Sequence, residues 1–263
     1  MKEVDKMGYC TFQHRQLFFE DMGEGTPIIM IHPPGMGRKT FIYQTPLAEK
    51  FRLILPDLSG HGDSTNEHSF VSMATYVEEI KTIVDHLQLN SCVLLGYSAG
   101  GIIAQEFAYK YPEFIQAIIL AGGYPRVKTM KLRLMHLLGM KMVRERPQLL
   151  INTLAKTHAH NEEEKLIFQE HMEKANRQIW YHFYKQSLYY NREKDLKNLK
   201  VPVLLIYGGK SQWINKHLPL FKELPQYETK IIEESSHQLP TKYSNSFNEI
   251  VYYYVKKIYN REI

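Results

Sequence analysis

Cysteine and tryptophan are scarce in this chain, with two of each in 263 residues. Two cysteines far apart, Cys10 and Cys92, cannot build a disulfide framework. The expectation is two free thiols in a reducing compartment, with Cys92 buried at the start of a strand. No window of about 18 apolar residues occurs, so hydropathy gives no membrane-spanning helix. The opening "MKEVDKMGYC" carries charges where a secretory leader needs an apolar stretch, and a cytoplasmic location is expected. Repeats and low-complexity stretches are also missing. So is any short Lys/Arg cluster interleaved with aromatics, and the net charge of +5 therefore does not call for nucleic acid.

What is present is a regular alternation. "YCTFQHRQLFFEDMG" reads as two strands in a hairpin. The short apolar runs "TPIIMIH", "FRLILPD", "SCVLLGY", "FIQAIILAGG", "VPVLLIYGG" and "TKIIEES" are each bounded by Gly, Pro or polar residues. Between them lie amphipathic stretches such as "SMATYVEEIKTIVDHLQL", where Tyr76, Val77, Ile80, Ile83, Val84 and Leu87 recur at helical spacing. Strand runs alternating with helices predict an α/β architecture with a mostly parallel sheet. Residues 124–195 break the alternation and read as several helices. They hold 14 Lys/Arg against 8 Asp/Glu, leaving 19 and 20 for the rest, so the basic character belongs to this insertion.

"GYSAG", residues 96–100, sits between a strand run and a helix. A serine on a sharp strand-to-helix turn projects its hydroxyl above the sheet, and Gly96 and Gly100 remove side chains that would clash there. Ser98 is thus the candidate nucleophile, with a helix N-terminus behind it. Acyl transfer also needs two N–H donors for the oxyanion. Ala99, the residue after the nucleophile, is one. The loop "HPPGMG" should supply the other; Pro33 and Pro34 have no N–H, which leaves Met36. The general base must be a histidine at the same sheet edge. Of twelve histidines, His237 in "SSHQLP" follows the last strand run. His32 and His61 are expected to hold loops beside the site. His158 and His160 have no third ligand at metal spacing and are expected to be solvated. The chemistry calls for no metal and no cofactor.

In order and spacing, "PPGMG", "PDLSGHGDS", "GYSAG", "VPVLLIYGG" and "SSHQLP" resemble the corresponding motifs of the α/β-hydrolase fold superfamily over essentially the whole chain. The resemblance implies an α/β-hydrolase fold: an eight-stranded, mostly parallel sheet flanked by helices. It implies a core of residues 1–123 and 196–263, with a helical cap of residues 124–195 inserted after the sixth strand. The expected activity is that of a serine esterase, using Ser98 and His237 on small to medium apolar acyl esters.

One part of the pattern is missing. The family places a catalytic acid after the seventh strand. Here that stretch is "YGGKSQWIN", the position falls on Ser211, and no acid occurs between Asp195 and Glu223. Three readings stay open. Ser211 accepts a hydrogen bond from His237; an acid such as Glu233 or Glu234 reaches in from elsewhere; or hydrolysis is lost and a ligand-binding or signalling protein remains. A missing acid predicts a slow enzyme before an inert one. In the cap, Met130, Met135, Met140 and Met142 are candidates for an apolar cavity or for ordinary packing, as are the aromatics of "WYHFYKQSLYY". Lys128, Lys131, Arg133, Lys141, Arg144 and Arg146 make its first helix basic. A solvated face is expected there, with contact to an anionic lipid surface as the alternative.

Overall fold

The computed structural model describes residues 6–65 and 69–259. Residues 1–5, read above as no secretory leader, lie outside the described residues. Eight strands form one sheet: β1 (Lys6–Phe12), β2 (Arg15–Met22), β3 (Pro27–Ile31), β4 (Arg52–Pro56), β5 (Cys92–Tyr97), β6 (Ile115–Ala121), β7 (Val203–Gly208) and β8 (Tyr227–Ile232). Their spatial order is β1-β2-β4-β3-β5-β6-β7-β8. The β1–β2 hairpin and the β2–β4 pairing are antiparallel, and the remaining pairings are parallel. Every residue of β5 and β7 is buried, as expected of parallel strands covered on both faces. The edge strand β8 is largely exposed and carries Glu228 and Lys230, charges that blunt edge-to-edge pairing.

Alternate side chains of the central strands feed two cores. Leu94, Ile118 and Leu205 pack with helices α1 (Met73–His86) and α2 (Gly100–Lys110) on one face. Leu95, Ile119 and Ile206 pack on the other face with Phe41 and with the last helix, which presents Phe247, Val251, Tyr254, Val255 and Ile258 at helical spacing. Cys10 and Cys92 are both buried free thiols, and Cys92 opens β5.

Between β6 and β7 the chain forms four helices: α3 (Met130–Glu145), α4 (Pro147–His158), α5 (Glu162–Glu173) and α6 (Arg177–Tyr189). They build a third apolar cluster containing Val143, Leu150, Ile151, Phe168, Met172 and Trp180, which Met36 of the post-β3 loop joins. Trp180 packs against that loop. A Cβ at Gly35, where φ is +81°, would fall 2.0 Å from its ring. Three shorter or later helices complete the fold: α7 (Gln212–Asn215), α8 (Leu239–Lys242) and α9 (Ser244–Tyr259).

The Met-rich helix α3 turns the other way from one of its expected arrangements. Its buried stripe is Leu132, His136, Gly139 and Val143, at spacings of four, three and four. Met130 and Met135 are 67 % and 44 % exposed, so neither faces an enclosed cavity beneath the helices. Gly139 lets Tyr184 of α6 approach, and Tyr124 bonds His136 Nε2 at 2.9 Å. A histidine and a glycine therefore share the inward stripe with Leu132 and Val143, and Met142 packs against the cap core, while Met130, Leu134, Met135 and Leu138 face out.

Candidate active site

The carboxyl ends of the parallel strands, where open α/β sheets bind ligands, bring the loops after β3, β5, β6, β7 and β8 together. Ser98 follows β5 with φ +52°, left-handed backbone that a serine adopts only under constraint. The constraint is visible. Its N–H donates to the Ala121 carbonyl at 2.8 Å, and α2 begins two residues on. A Cβ at Gly96 would sit 2.4 Å from the Gly101 Cα, and one at Gly100 would sit 2.2 Å from the Ile31 carbonyl oxygen. Strand, turn and helix close only with glycine at both places.

His237, in the loop after β8, faces this serine, with Nε2 3.1 Å from Ser98 Oγ. Sequence reasoning thus named two residues, 139 positions apart, that the fold brings into hydrogen-bond contact. Two aromatic rings wall the imidazole: Trp213 edge-on at 5.0 Å and Tyr97 tilted at 5.4 Å between centroids. Nδ1 is buried and has no hydrogen-bond partner among the described residues. Burial, with His158 as the second cause, pushes the His237 imidazole down to about 3.

None of the candidate substitutes for the missing acid bonds that nitrogen. Ser211 is buried at the N-cap of α7, but its hydroxyl makes no capping bond and none to His237. Glu233 and Glu234 are exposed, and Glu234 pairs outward with Lys210 at 2.5 Å. The site is a serine–histidine pair with a neutral, unanchored imidazole.

The expected oxyanion donors differ in availability. The Ala99 amide stands at the N-cap of α2 and donates to no described backbone acceptor. The Met36 amide does not stand free: it donates to the Pro33 carbonyl at 3.3 Å. The reason is local. Pro34 and Gly35 occupy the two central positions of a tight turn, the residue pattern of a type II turn, and Met36 supplies its closing N–H.

Other histidines hold the loops. His32 Nε2 accepts from the Leu58 amide at 3.1 Å, and its Nδ1 faces the Pro33 carbonyl at 2.9 Å, joining the loops after β3 and β4. His61 lies against His32 at 4.9 Å. His158 is not solvated. It is 4 % exposed, bonds the Tyr97 hydroxyl at 3.2 Å through Nε2, and holds the Leu154 carbonyl at 2.8 Å through Nδ1. Burial pushes it down to about 4. The signal was available in the buried stripe Leu150, Ile151, Ala155, His158, on which a polar residue reads as a solvated one. His160 bonds the Thr241 carbonyl at 2.9 Å.

Asp57, Asp63 and His171 place ligand atoms within 4.8 Å of one another, a spacing a metal could use. A protein cation already occupies that centre. The Arg38 guanidinium pairs with Asp57 and, at 2.8 Å, with Asp63, while its backbone N–H donates to Asp57 Oδ1 at 2.7 Å. His171 Nε2 lies 3.0 Å from Asp57 Oδ1. Burial alone would raise the Asp57 carboxyl; the His171 bond and the charges of His171 and Arg38 hold it well below the usual carboxylate range. This network ties α5 to the loops that frame Ser98.

Known proteins place the geometry. A family model described as serine aminopeptidase, S33 matches residues 38–241. An AB hydrolase superfamily protein of Bacillus subtilis is 34 % identical over 119 residues, 44 % of each chain. An uncharacterized protein of Mycobacterium bovis is 33 % identical over 119 residues, 44 % of this chain and 35 % of its own, so the match spans about a third of that relative. A pimeloyl-[acyl-carrier protein] methyl ester esterase of Hamiltonella defensa is 26 % identical over 94 % of this chain and 99 % of its own. Among solved structures, a thermophilic esterase from Thermogutta terrifontis superposes with a TM-score of 0.82 at 21 % identity, covering 96 % of this chain and 99 % of that one. A bromoperoxidase from Bacillus anthracis gives 0.85 at 19 % identity, covering 96 % and 100 %. The strained serine elbow, the sheet order and a family match over more than half the chain agree: the fold is that of the α/β-hydrolases, and the chain belongs to the serine aminopeptidase S33 family.

Proposed function

We propose that the chain is a serine hydrolase of carboxylic esters with small to medium apolar acyl groups, working through a Ser98 acyl-enzyme. The observation that carries the reading is the 3.1 Å contact between His237 Nε2 and a Ser98 held at φ +52°. Ser98 Oγ attacks the ester carbonyl and its proton passes to His237 Nε2. The Ala99 amide and the N-terminus of α2 face the oxygen that becomes negative. The imidazolium then protonates the departing alkoxide, and water repeats the sequence on the acyl-enzyme. Residues 124–195 act as a cap over these steps, with Tyr97 and His158 fixing α4 to the elbow.

Esters are favoured over peptides by the state of His237. Amide cleavage needs a strong base for attack and protonation of a poor leaving group. A lone imidazole pushed down to about 3 is a weak base, which a more reactive ester carbonyl tolerates. The esterase named among the relatives supports the same class. The orphaned Nδ1 favours a second reading, a ligand-binding protein with a vestigial site. Fluorophosphonate labelling separates the two. The expected result is covalent modification of Ser98 that disappears in Ser98→Ala. Wild-type protein that neither labels nor turns over short acyl esters removes the hydrolase reading.

A further inference from the structure

Helix α3 carries its most apolar face on the outside. Met130, Leu134 and Leu138 are 67 %, 56 % and 56 % exposed, with Leu137 beside them at 40 %. They stand opposite the buried stripe Leu132, His136, Gly139 and Val143. Scattered exposed apolar residues need no explanation, but one contiguous helical face does. Exposed cations flank it: Lys131 and Arg133 near its start and Lys141 further along.

The face runs into a surface depression of about 450 Å³, lined by Thr129, Met130, Lys131, Lys210, Trp213 and Lys216. Met130 and Lys131 belong to both. Three lysines thus converge where the apolar face begins. Among the described residues Lys131, Arg133 and Lys216 have no ion pair. Lys210 has only the exposed Glu234, and Lys141 only Glu145 at 3.8 Å.

We propose that this surface docks on an anionic lipid bilayer, with Met130, Leu134 and Leu138 entering the headgroup–acyl boundary and Lys131, Lys210 and Lys216 receiving lipid phosphates. Two physical points select this occupant. An anionic bilayer offers apolar and negatively charged matter in adjacent layers, matching a helix with an apolar centre and basic flanks. A second copy of the chain, related by a two-fold axis, would instead set this lysine-rich surface against itself. The docked surface lies one indole away from the candidate base, because Trp213 lines the depression and touches His237 edge-on. The Thr129 hydroxyl bonds the Trp213 carbonyl at 3.2 Å, fixing α3 to that loop. The proposal does not depend on the chemistry at Ser98.

The test is co-sedimentation of the full chain with vesicles of equimolar phosphatidylglycerol and phosphatidylcholine, against pure phosphatidylcholine. Partition onto the anionic vesicles should be at least about tenfold stronger and should weaken with salt. Leu134→Glu with Leu138→Glu, and separately Lys131→Glu with Lys216→Glu, should each remove most of it. Circular dichroism and hydrolysis of a soluble ester should stay at wild-type values. Equal partition onto both vesicle types overturns the proposal, as does binding untouched by the leucine pair. Displacement by millimolar inorganic phosphate with the leucine pair neutral means a pocket for small anions, and also overturns it. So does a concentration-dependent dimer in light scattering that the leucine pair abolishes.

Discussion

Replacing Ser211 by aspartate asks whether the absent acid sets the rate of the proposed hydrolase. In the wild type, His237 Nδ1 is buried without a partner among the described residues and the imidazole is pushed down to about 3. A carboxylate on that nitrogen holds the proton on Nδ1, frees Nε2 to accept from Ser98, and stabilises the imidazolium that forms as Ser98 attacks. Returning the imidazole from about 3 to its ordinary value of about 6.5 corresponds to roughly 5 kcal/mol between its two protonation states. Loss of the acid's charge in a serine protease lowers kcat about ten-thousandfold, a penalty of similar size. The expected gain in Ser211→Asp is therefore about a thousandfold to ten-thousandfold in kcat/KM for p-nitrophenyl butyrate. Rates should be normalised by fluorophosphonate titration of Ser98. The pH profile supplies an independent reading. Activity requires neutral His237, so the wild-type rate should show no His237 limb between pH 7 and the onset of acid unfolding, and the variant's limb should appear within that window, toward the ordinary histidine range. Ser211→Asn, an uncharged acceptor, should recover little of the gain. A crystal structure with the Asp carboxylate on Nδ1, in a variant whose kcat/KM stays within about threefold of wild type, would refute the reasoning.

Acid should unfold this protein early. Burial pushes His32 and His158 down to about 4, and His61 and His237 to about 3, so between their native and ordinary values the unfolded chain binds protons that the native chain does not. Their contribution is complete above about pH 6.5 and is lost as pH falls, by about 2 kcal/mol each on reaching pH 5. Glu79, pushed up to about 7 by burial, acts in the opposite sense and returns about 2 kcal/mol over that interval, so the histidines outweigh it and stability falls. Urea denaturation at pH 7 and pH 5 measures the difference, and equal midpoints contradict it. Gly35→Ala should cost about 2–5 kcal/mol, combining left-handed backbone strain with a Cβ driven into Trp180. A melting temperature within about a degree of wild type would show that the cap moves aside freely.

The sheet was legible because each central strand is a short β-rich run bounded by turn residues, a pattern that leaves helix and loop little room. The Ser98–His237 contact was legible because the tight turn after β5 excludes side chains at Gly96 and Gly100, and the loop after the last strand ends at the same sheet edge. Helix α3 was harder to orient. Its inward stripe contains His136 and Gly139, whose burial depends on Tyr124 and Tyr184 supplying a hydrogen bond and a close-packed ring. Its outward face holds the better hydrophobes, so periodicity alone points the wrong way. His158 was misplaced for a related reason. A buried imidazole needs partners, and the Tyr97 hydroxyl that supplies one lies 61 residues away. The Met36 amide was assigned by elimination among prolines, without the turn that uses it.

The two tryptophans are optically unequal. Trp180 is sealed beneath the helices at 1 % exposure, while Trp213 lies partly exposed, edge-on to His237 at 5.0 Å and beneath Lys131 at 5.8 Å. A protonated imidazole quenches indole emission and a neutral one does not. The ring that walls the histidine and lies beneath Lys131 is therefore the one whose emission would change with a proton on His237 or a ligand over the lysines, with Trp180 as the background against which both are read.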